Sequence, residues 1–441
     1  MKLPLFLGRA SHLFEDPPPA PAARRERRAC PELPAPALVL VVMFAVACSP
    51  AGPNGAAHGF SVTSEDGVEV ALTTGGPRHE GEIFAYERTL VIRPDPAIAE
   101  SVMYSPYWMA MAEDGRIFVG DMGDRQVVVF SAEGEYLYRI GRRGQGPGEF
   151  QRVTFVDVDG DVLWVTDGYR NHAFELDGTF IETFTLPTAA LGLMRDGRWW
   201  RLPDGRGVIF NLEERYDRFT ETRAEMHVIG PEGEPRASIV TPWVVNGEFL
   251  LEEDGSRGEW LQHYFAGRPW GDFSRHFGFH LVNPLEPEVR VYDDEGALVG
   301  RLRVELPPEP VTDEDRAWVM EQLDDAVRRA EARETGYQES RGYRLQRDNP
   351  RFADPKHYWS RPIVDDKGFV WLSIDHVRDL PEGSYRWAVF SPEGEYLGQT
   401  TTPGWPQPQR GHLLIRWEDP ESGEVFPAVY RIRSMVEGVE Y

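Results

Sequence analysis

Along most of the chain, apolar residues come in short runs, often alternating with polar positions, and the runs stop at acidic corners closed by glycine. Ser131-Ala132-Glu133-Gly134-Glu135-Tyr136-Leu137 returns as Ser391-Pro392-Glu393-Gly394-Glu395-Tyr396-Leu397, identical at six of seven positions. The wider unit is an apolar strand, an acidic turn and a second apolar strand. It recurs around Phe130/Gly134, Phe174/Gly178, Val228/Gly233, Tyr292/Gly296 and Phe390/Gly394. Glycine at the last turn position supplies the positive φ that a tight hairpin needs, and the acidic residue before it favours turn geometry. Upstream of most units sits a second hairpin: Asp114-Gly115, Asp159-Gly160, Asp196-Gly197 before Trp199-Trp200, and Lys367-Gly368. Two hairpins predict four strands per unit.

Spacing decides the architecture. The turn glycines lie 44, 55, 63 and 98 residues apart, and the shortest step matches the roughly 40–50 residues of one four-stranded propeller blade. Five blades are visible. A sixth is expected from residues 412–417 and 425–432, completed by a strand within residues 83–92 that closes the ring and limits exposed sheet edges. The expected fold is therefore an all-β, six-bladed β-propeller over residues 83–433. Residues 48–82 form a linker with N-terminal strands, and residues 434–441 a C-terminal tail.

One segment breaks the β pattern. Thr312 is an N-cap candidate before an acidic first turn, and Val319, Met320, Leu323, Val327 and Ala330 recur at helical spacing. An amphipathic helix is predicted over residues 312–334, inserted between blades 4 and 5, with residues 334–349 as a mobile loop. It serves either as a lid or docking element, or as an insertion packed on the side of the ring; the latter is slightly favoured.

Composition narrows the function classes. Lys and Arg number 47 against 72 Asp and Glu, a net charge of −25. That excludes a sequence-independent grip on nucleic acid, which needs clustered cations, and docking on an anionic lipid surface. The only long apolar run, residues 37–47, is too short for a membrane-spanning helix, which needs about 20 residues. It fits the apolar middle of an export signal behind Arg24, Arg25, Arg27 and Arg28. Ala45-Val46-Ala47-Cys48 resembles the lipobox of bacterial lipoproteins, although Ala stands where Leu is usual. Residues 1–47 are thus expected to be a signal peptide, with an over-extended start, and Cys48 the lipidated residue. The address is the cell envelope, with membrane contact only through lipid. The one other cysteine, Cys30, lies in the removed part, so no disulfide forms.

Residues 140–150 (Ile-Gly-Arg-Arg-Gly-Gln-Gly-Pro-Gly-Glu-Phe), followed by Val156-Asp157-Val158-Asp159-Gly160 and Leu163-Trp164-Val165-Thr166-Asp167, resemble the NHL-type propeller repeat. The chain is most similar to the six-bladed propeller lipoproteins of bacteria, most of which have no assigned activity. The likeness is sharp over residues 108–184 and 362–397 and loose over 192–304. It implies a ring of blades around a funnel and no particular reaction.

Candidate chemistry is sparse. The loop 141–148, with Arg142 and Arg143, offers backbone N–H groups to a phosphate or carboxylate. It lacks the Lys-Ser/Thr of a P-loop and no helix follows, which favours an inter-blade crossing. Asp121, Asp124, Asp167 and Asp375 follow second strands and read as turn caps rather than Ca²⁺ ligands. His276 and His280 share one face if both lie in a strand, without an evident third metal ligand. No GxSxG, SxxK or mature-chain cysteine nucleophile occurs. The doublets Asp293-Asp294 and Asp365-Asp366 read as solvated turn residues. More informative are aromatic–Arg–Pro starts of inner strands: Tyr107, Trp108, Arg268, Trp270, Tyr358 and Arg361, joined by Arg152. These types dominate binding hot spots. They either rim one mouth of the funnel, where they stack a sugar or clamp a carboxylate, or serve as wedge packing between blades. The expected function is a binding module for a small molecule, glycan or protein, with no catalytic residue, metal or cofactor assigned. The alternative is a metal-assisted hydrolase or lyase with its site in the channel.

Overall fold

The computed structural model describes residues 57–186, 198–202, 204–251, 256–332 and 337–441. Its strands form six sheets, and the protein is an all-β propeller. Each sheet contains a four-stranded antiparallel unit. The innermost strands are Pro106–Met111, Phe155–Asp159, Arg198–Arg201, Trp270–Ser274, Pro362–Val364 and Gln407–Gln409. We number the blades 1 to 6 in that order.

The last blade is completed from the other end of the chain. Its strands Gln407–Gln409, His412–Glu418 and Val425–Ser434 are joined at the outer edge by Phe84–Val91, antiparallel to Val425–Ser434. Apolar wedges seal each junction. Phe118, Phe150 and Leu163 pack between blades 1 and 2, and Leu186, Trp199 and Ile229 between 2 and 3. Phe210 and Phe279 join 3 to 4, and Val289, Trp359 and Phe390 join 4 to 5. Trp371 and Leu413 fill the 5–6 junction, and Met109 with Leu414 the 6–1 junction. At the repeated corner, Gly394 has φ +87°, and a Cβ there would lie 2.6 Å from Leu302 of the neighbouring blade and 2.7 Å from Ala71 of the strand that flanks that blade. Turn geometry and inter-blade contact both demand glycine at that corner.

The N-terminal part straps the outside of the ring. Gly59–Glu65 and Val68–Thr74 form a hairpin whose second strand runs parallel to Leu298–Val304, the outer strand of blade 4. The chain then crosses blade 5, where the backbone N–H groups of His79 and Ile83 donate to the carbonyls of Leu397 and Gln399, and enters blade 6. The tail at the other terminus is docked rather than loose: the Tyr441 ring lies 5.0 Å from both Phe84 and Phe369.

Three local expectations need correction. Trp199 and Trp200 lie in the innermost strand of blade 3, not in a strand that follows an inner hairpin; the turn to the next strand is at Asp204-Gly205. The expected corner Asp196-Gly197 lies outside the described residues. Blade 3 also carries an extension that the pattern did not show. Strands Gly207–Tyr216 and Phe219–Ile229 overrun the blade; Phe219–Ile229 pairs onward with Val244–Leu251, which pairs in turn with Arg257–Tyr264. Residues 337–348, expected in a mobile loop, form a helix.

That helix, α2 (Tyr337–Asp348), follows α1 (Asp313–Glu331), and both fall in the chain between Leu298–Val304 and Pro362–Val364. Thr312 caps α1 reciprocally with Asp315: the Thr312 hydroxyl accepts from the Asp315 N–H, and the Asp315 carboxylate accepts from the Thr312 N–H at 2.9 Å. Val319, Leu323, Ala326, Val327 and Ala330 bury one face of α1 against Tyr264 and Phe265. Together, α1 and the blade 3 extension build an annex beside the ring.

Candidate functional site

Every innermost strand contributes to the wall of one cavity of about 1940 Å³, the central channel. Because first and second strands are antiparallel, the start of each first strand and the end of each second strand meet at the same mouth, as in the pairs Pro106↔Asp121 and Phe155↔Thr166.

Buried acceptors fix the chain as it enters the inner strands. The Asp121 carboxylate accepts the N–H groups of Tyr104, Ser105 and Gly123 at 2.8–3.0 Å. Asp167 does the same for Gln151 and Arg152 at 2.9 and 3.0 Å and also pairs with Arg170. In blade 5 this part falls to the Ser373 hydroxyl, which accepts from the Arg361 N–H at 3.0 Å. Asp375 is exposed in the mouth instead, and Asp124 pairs with Arg139. The 141–148 loop is closed by the chain itself. The Glu149 carboxylate accepts from the N–H groups of Gln145 and Gly146 and pairs with Arg142 at 2.7 Å.

Six of the seven proposed contact residues line the channel: Tyr107, Trp108, Arg152, Arg268, Trp270 and Arg361. Tyr358 does not. It packs beside the Trp359 cluster between blades 4 and 5, its hydroxyl donating to the Leu306 carbonyl. The structure adds Arg198, Trp405 and Arg416 to the mouth. Arg361 lies 4.5 Å from the centroid of the Trp270 ring and 5.3 Å from that of Trp405, and Arg416 lies 4.6 Å from that of Tyr107. Arg198 reaches Asp272 at 3.6 Å, and Arg268 reaches Glu214 at 3.4 Å. Burial pulls the Arg361 pKa down; Asp375 opposes this, while the like charges of Arg198 and Arg268 add to it. Burial pushes Asp272 up against the pull of Arg198.

The opposite mouth is different. Arg275 pairs with Asp157 and Asp159, and Arg410 with Glu113. His276 lies in an exposed turn and His280 is buried in the next strand, so the two do not form one strand face. Asp365 is buried, not solvated. Its carboxylate accepts from the Lys367 and Phe369 N–H groups, the Trp371 indole and the Tyr441 hydroxyl, while burial lifts its pKa to about 6. Asp293 accepts two N–H groups of its own turn, and Asp294 pairs with Arg206.

The annex supplies a neutral wall to the same cavity through Asn246, His263, Tyr264 and Trp318, facing His357 and His376. The His357 Nδ1 is 3.1 Å from the Phe265 carbonyl, which places a proton on Nδ1 and leaves Nε2 bare. Burial, then the neighbouring His376, pushes its pKa down. Among the described residues no three His, Cys, Asp or Glu side chains are grouped to hold a metal ion.

Residues 106–225 match the DUF5128 family, described as a 6-bladed beta-propeller. Similar solved structures include a protein of Bacteroides fragilis described as exported, with 10% identity over 83% of this chain and 100% of that one and a TM-score of 0.44. A member of the DUF4221 family from Bacteroides vulgatus shares 12% identity over 80% and 99% of the two chains, with a TM-score of 0.41. Virginiamycin B lyase from Staphylococcus aureus shares 8% identity over 80% and 100%, with a TM-score of 0.31. A search of curated proteins finds no match.

Proposed function

We propose that this chain is a cell-envelope, NHL-like six-bladed propeller that binds a ligand at one mouth of its channel and is not itself a catalyst. The observation that carries the reading is the mouth where Arg361 and Arg416 rest on Trp270, Trp405 and Tyr107. Stacking holds a guanidinium in place without cancelling its charge. Asp121, Asp167 and Ser373 fix the backbone beneath these residues, so the mouth is pre-organised, which lowers the entropic cost of binding. The seventh sequence candidate, Tyr358, is left out.

Thermal unfolding across a panel of glycans and peptides tests the reading. At least one member should raise the melting temperature of the wild type and fail to do so in Arg361→Ala and Trp270→Ala. A panel with no such member refutes it.

The proposed address rests on the sequence. Residues 37–47 and Cys48 lie outside the described residues, and no helix among the described residues is long and apolar enough to cross a membrane. Cys48→Ala should move the protein from the membrane fraction to the soluble fraction; retention in the membrane, with no lipid on Cys48 of the wild type, refutes the anchor.

A further inference from the structure

The outer edges of the six blades are guarded. An outer strand with unpaired N–H and C=O groups is a template for another chain, and proteins blunt it with charges, prolines, bulges or a cover. Blades 1, 2, 3 and 6 end on Tyr136–Ile140, Phe180–Thr185, Pro235–Val240 and Phe84–Val91. These strands carry Arg139, Glu182, Arg236 and Glu87 in turn. Each also meets its inner neighbour across a register shift, as at a β-bulge, which twists an edge away from flat pairing. Blade 5 ends on Tyr396–Thr402, which has no charge but is covered. The N–H groups of Arg78, His79 and Ile83 donate to the carbonyls of Tyr396, Leu397 and Gln399 along it. Blade 4 is covered by Val68–Thr74.

The hairpin that covers blade 4 brings an edge of its own, and this one has no guard. Gly59–Glu65 pairs with Val68–Thr74 through seven consecutive residue pairs without a register shift. It holds no proline and no charge before Glu65, which lies 3.8 Å from Arg303 of its own chain. Residues 60–65 are exposed, and among the described residues no strand pairs with their other edge. Phe60 and Val62, 36% and 44% exposed, share one face of the strand. The residues just before it are poor material for a cover, because Pro50 and Pro53 donate no N–H.

We propose that Gly59–Glu65 pairs with the same strand of a second copy of this chain, antiparallel about a two-fold axis at Val62. A closed two-copy assembly is isologous, so like strands meet antiparallel. In this register Val62 meets its own counterpart, Phe60 meets Ser64 and Ser61 meets Thr63. The two Phe60 rings flank the valine pair diagonally on one face, and the other face carries the Ser61–Thr63 hydroxyl pairs. Charge favours the same occupant. Two copies of net charge −25 repel each other, so a contact between them needs an uncharged strip. Residues 59–64 are such a strip at a sheet edge, and Glu65 falls opposite Gly59, away from its counterpart. One strand pair buries less than the roughly 1,200–2,000 Å² of a stable interface, so the dimer forms reversibly as concentration rises.

Sedimentation of the full chain in detergent, from about 1 to about 200 μM, reads the association directly. The wild type should pass from monomer to dimer across that range. Val62→Lys sets two ammonium groups opposite each other and should weaken the dimer at least about tenfold. Val62 is exposed, so the melting temperature of this variant should stay that of the wild type. Ile181→Lys, at a position 46% exposed on the guarded edge of blade 2, should leave the dimer unchanged. Oxidation of Val62→Cys should give a covalent dimer, because directly opposed residues lie about 4.5–5.5 Å apart at Cα, within disulfide reach. The wild type and Ile181→Cys, which keep the same native cysteines, should not cross-link. A wild type that stays monomeric throughout overturns the proposal. So does a dimer that survives Val62→Lys, or one that Val62→Cys fails to cross-link.

Discussion

Asp167→Ala should destabilise the protein by about 3–5 kcal/mol, the usual cost of removing one partner from a buried ion pair. Asp167 is 4% exposed and accepts from two backbone N–H groups while pairing with Arg170. Alanine leaves all three donors short of an acceptor and frees the segment that carries Arg152, so ligand affinity should fall with stability. Asp124→Ala is the control. Asp124 also pairs with an arginine, Arg139, but its side chain is 41% exposed, and its loss should cost under about 1 kcal/mol. Thermal or urea unfolding of the two variants side by side checks the contrast; equal losses would show that the Asp167 network does not hold the blade entrance.

Lys356→Met should have a comparable effect at neutral pH, again about 3–5 kcal/mol. The Lys356 ammonium is 2.8 Å from Asp315, which is 1% exposed, and it also pairs with Glu309. Burial pushes the Asp315 carboxyl upward, but the Lys356 ammonium and the Thr312 N–H and hydroxyl outweigh it and hold the pKa at about 2. Glu309 is also held at about 2, through its bond to His376 and, against burial, through Lys356. Both folded-state values lie below their unfolded ones, so the stabilisation is present above about pH 4–5 and is lost as pH falls through about 2. The gap between wild type and Lys356→Met should therefore be widest above pH 5 and narrow towards pH 2. A gap that stays constant across that range contradicts the assignment.

The fold was legible in the sequence because its corners are local. Acidic-Gly turns such as 131–137 and 391–397 encode their hairpins within a few residues, and their spacing reports the four-strand unit. Blade 3 was legible only in part: its strands Gly207–Tyr216 and Phe219–Ile229 are 10 and 11 residues long and overrun the repeat. With one expected corner at 196–197, Trp199-Trp200 was assigned to the wrong strand, and Arg198 was missed as an inner-strand start equivalent to Arg361. The annex was hidden for a different reason. Asn246, His263 and Tyr264 lie on the hairpin that extends blade 3, and Tyr264 packs on α1, a long-range contact with no sequence period. For α2, the polar stretch 337–348 has too thin an apolar stripe to stand out from a loop. Tyr358 failed because the aromatic–Arg–Pro signature marks where an inner strand starts, and neighbours in that signature face opposite ways: Arg361 into the channel, Tyr358 into the blade junction.

Blade 6 has a further consequence, for how the molecule is made. Its outer strand Phe84–Val91 is among the first parts synthesised, and its partner Val425–Ser434 among the last; Thr89 and Val429, which share a hydrogen bond, are 340 positions apart. At about 5–20 residues per second, the early segment waits on the order of tens of seconds for its mate. Throughout that interval its backbone donors and acceptors stand open to any passing strand, including the same segment of a sister chain.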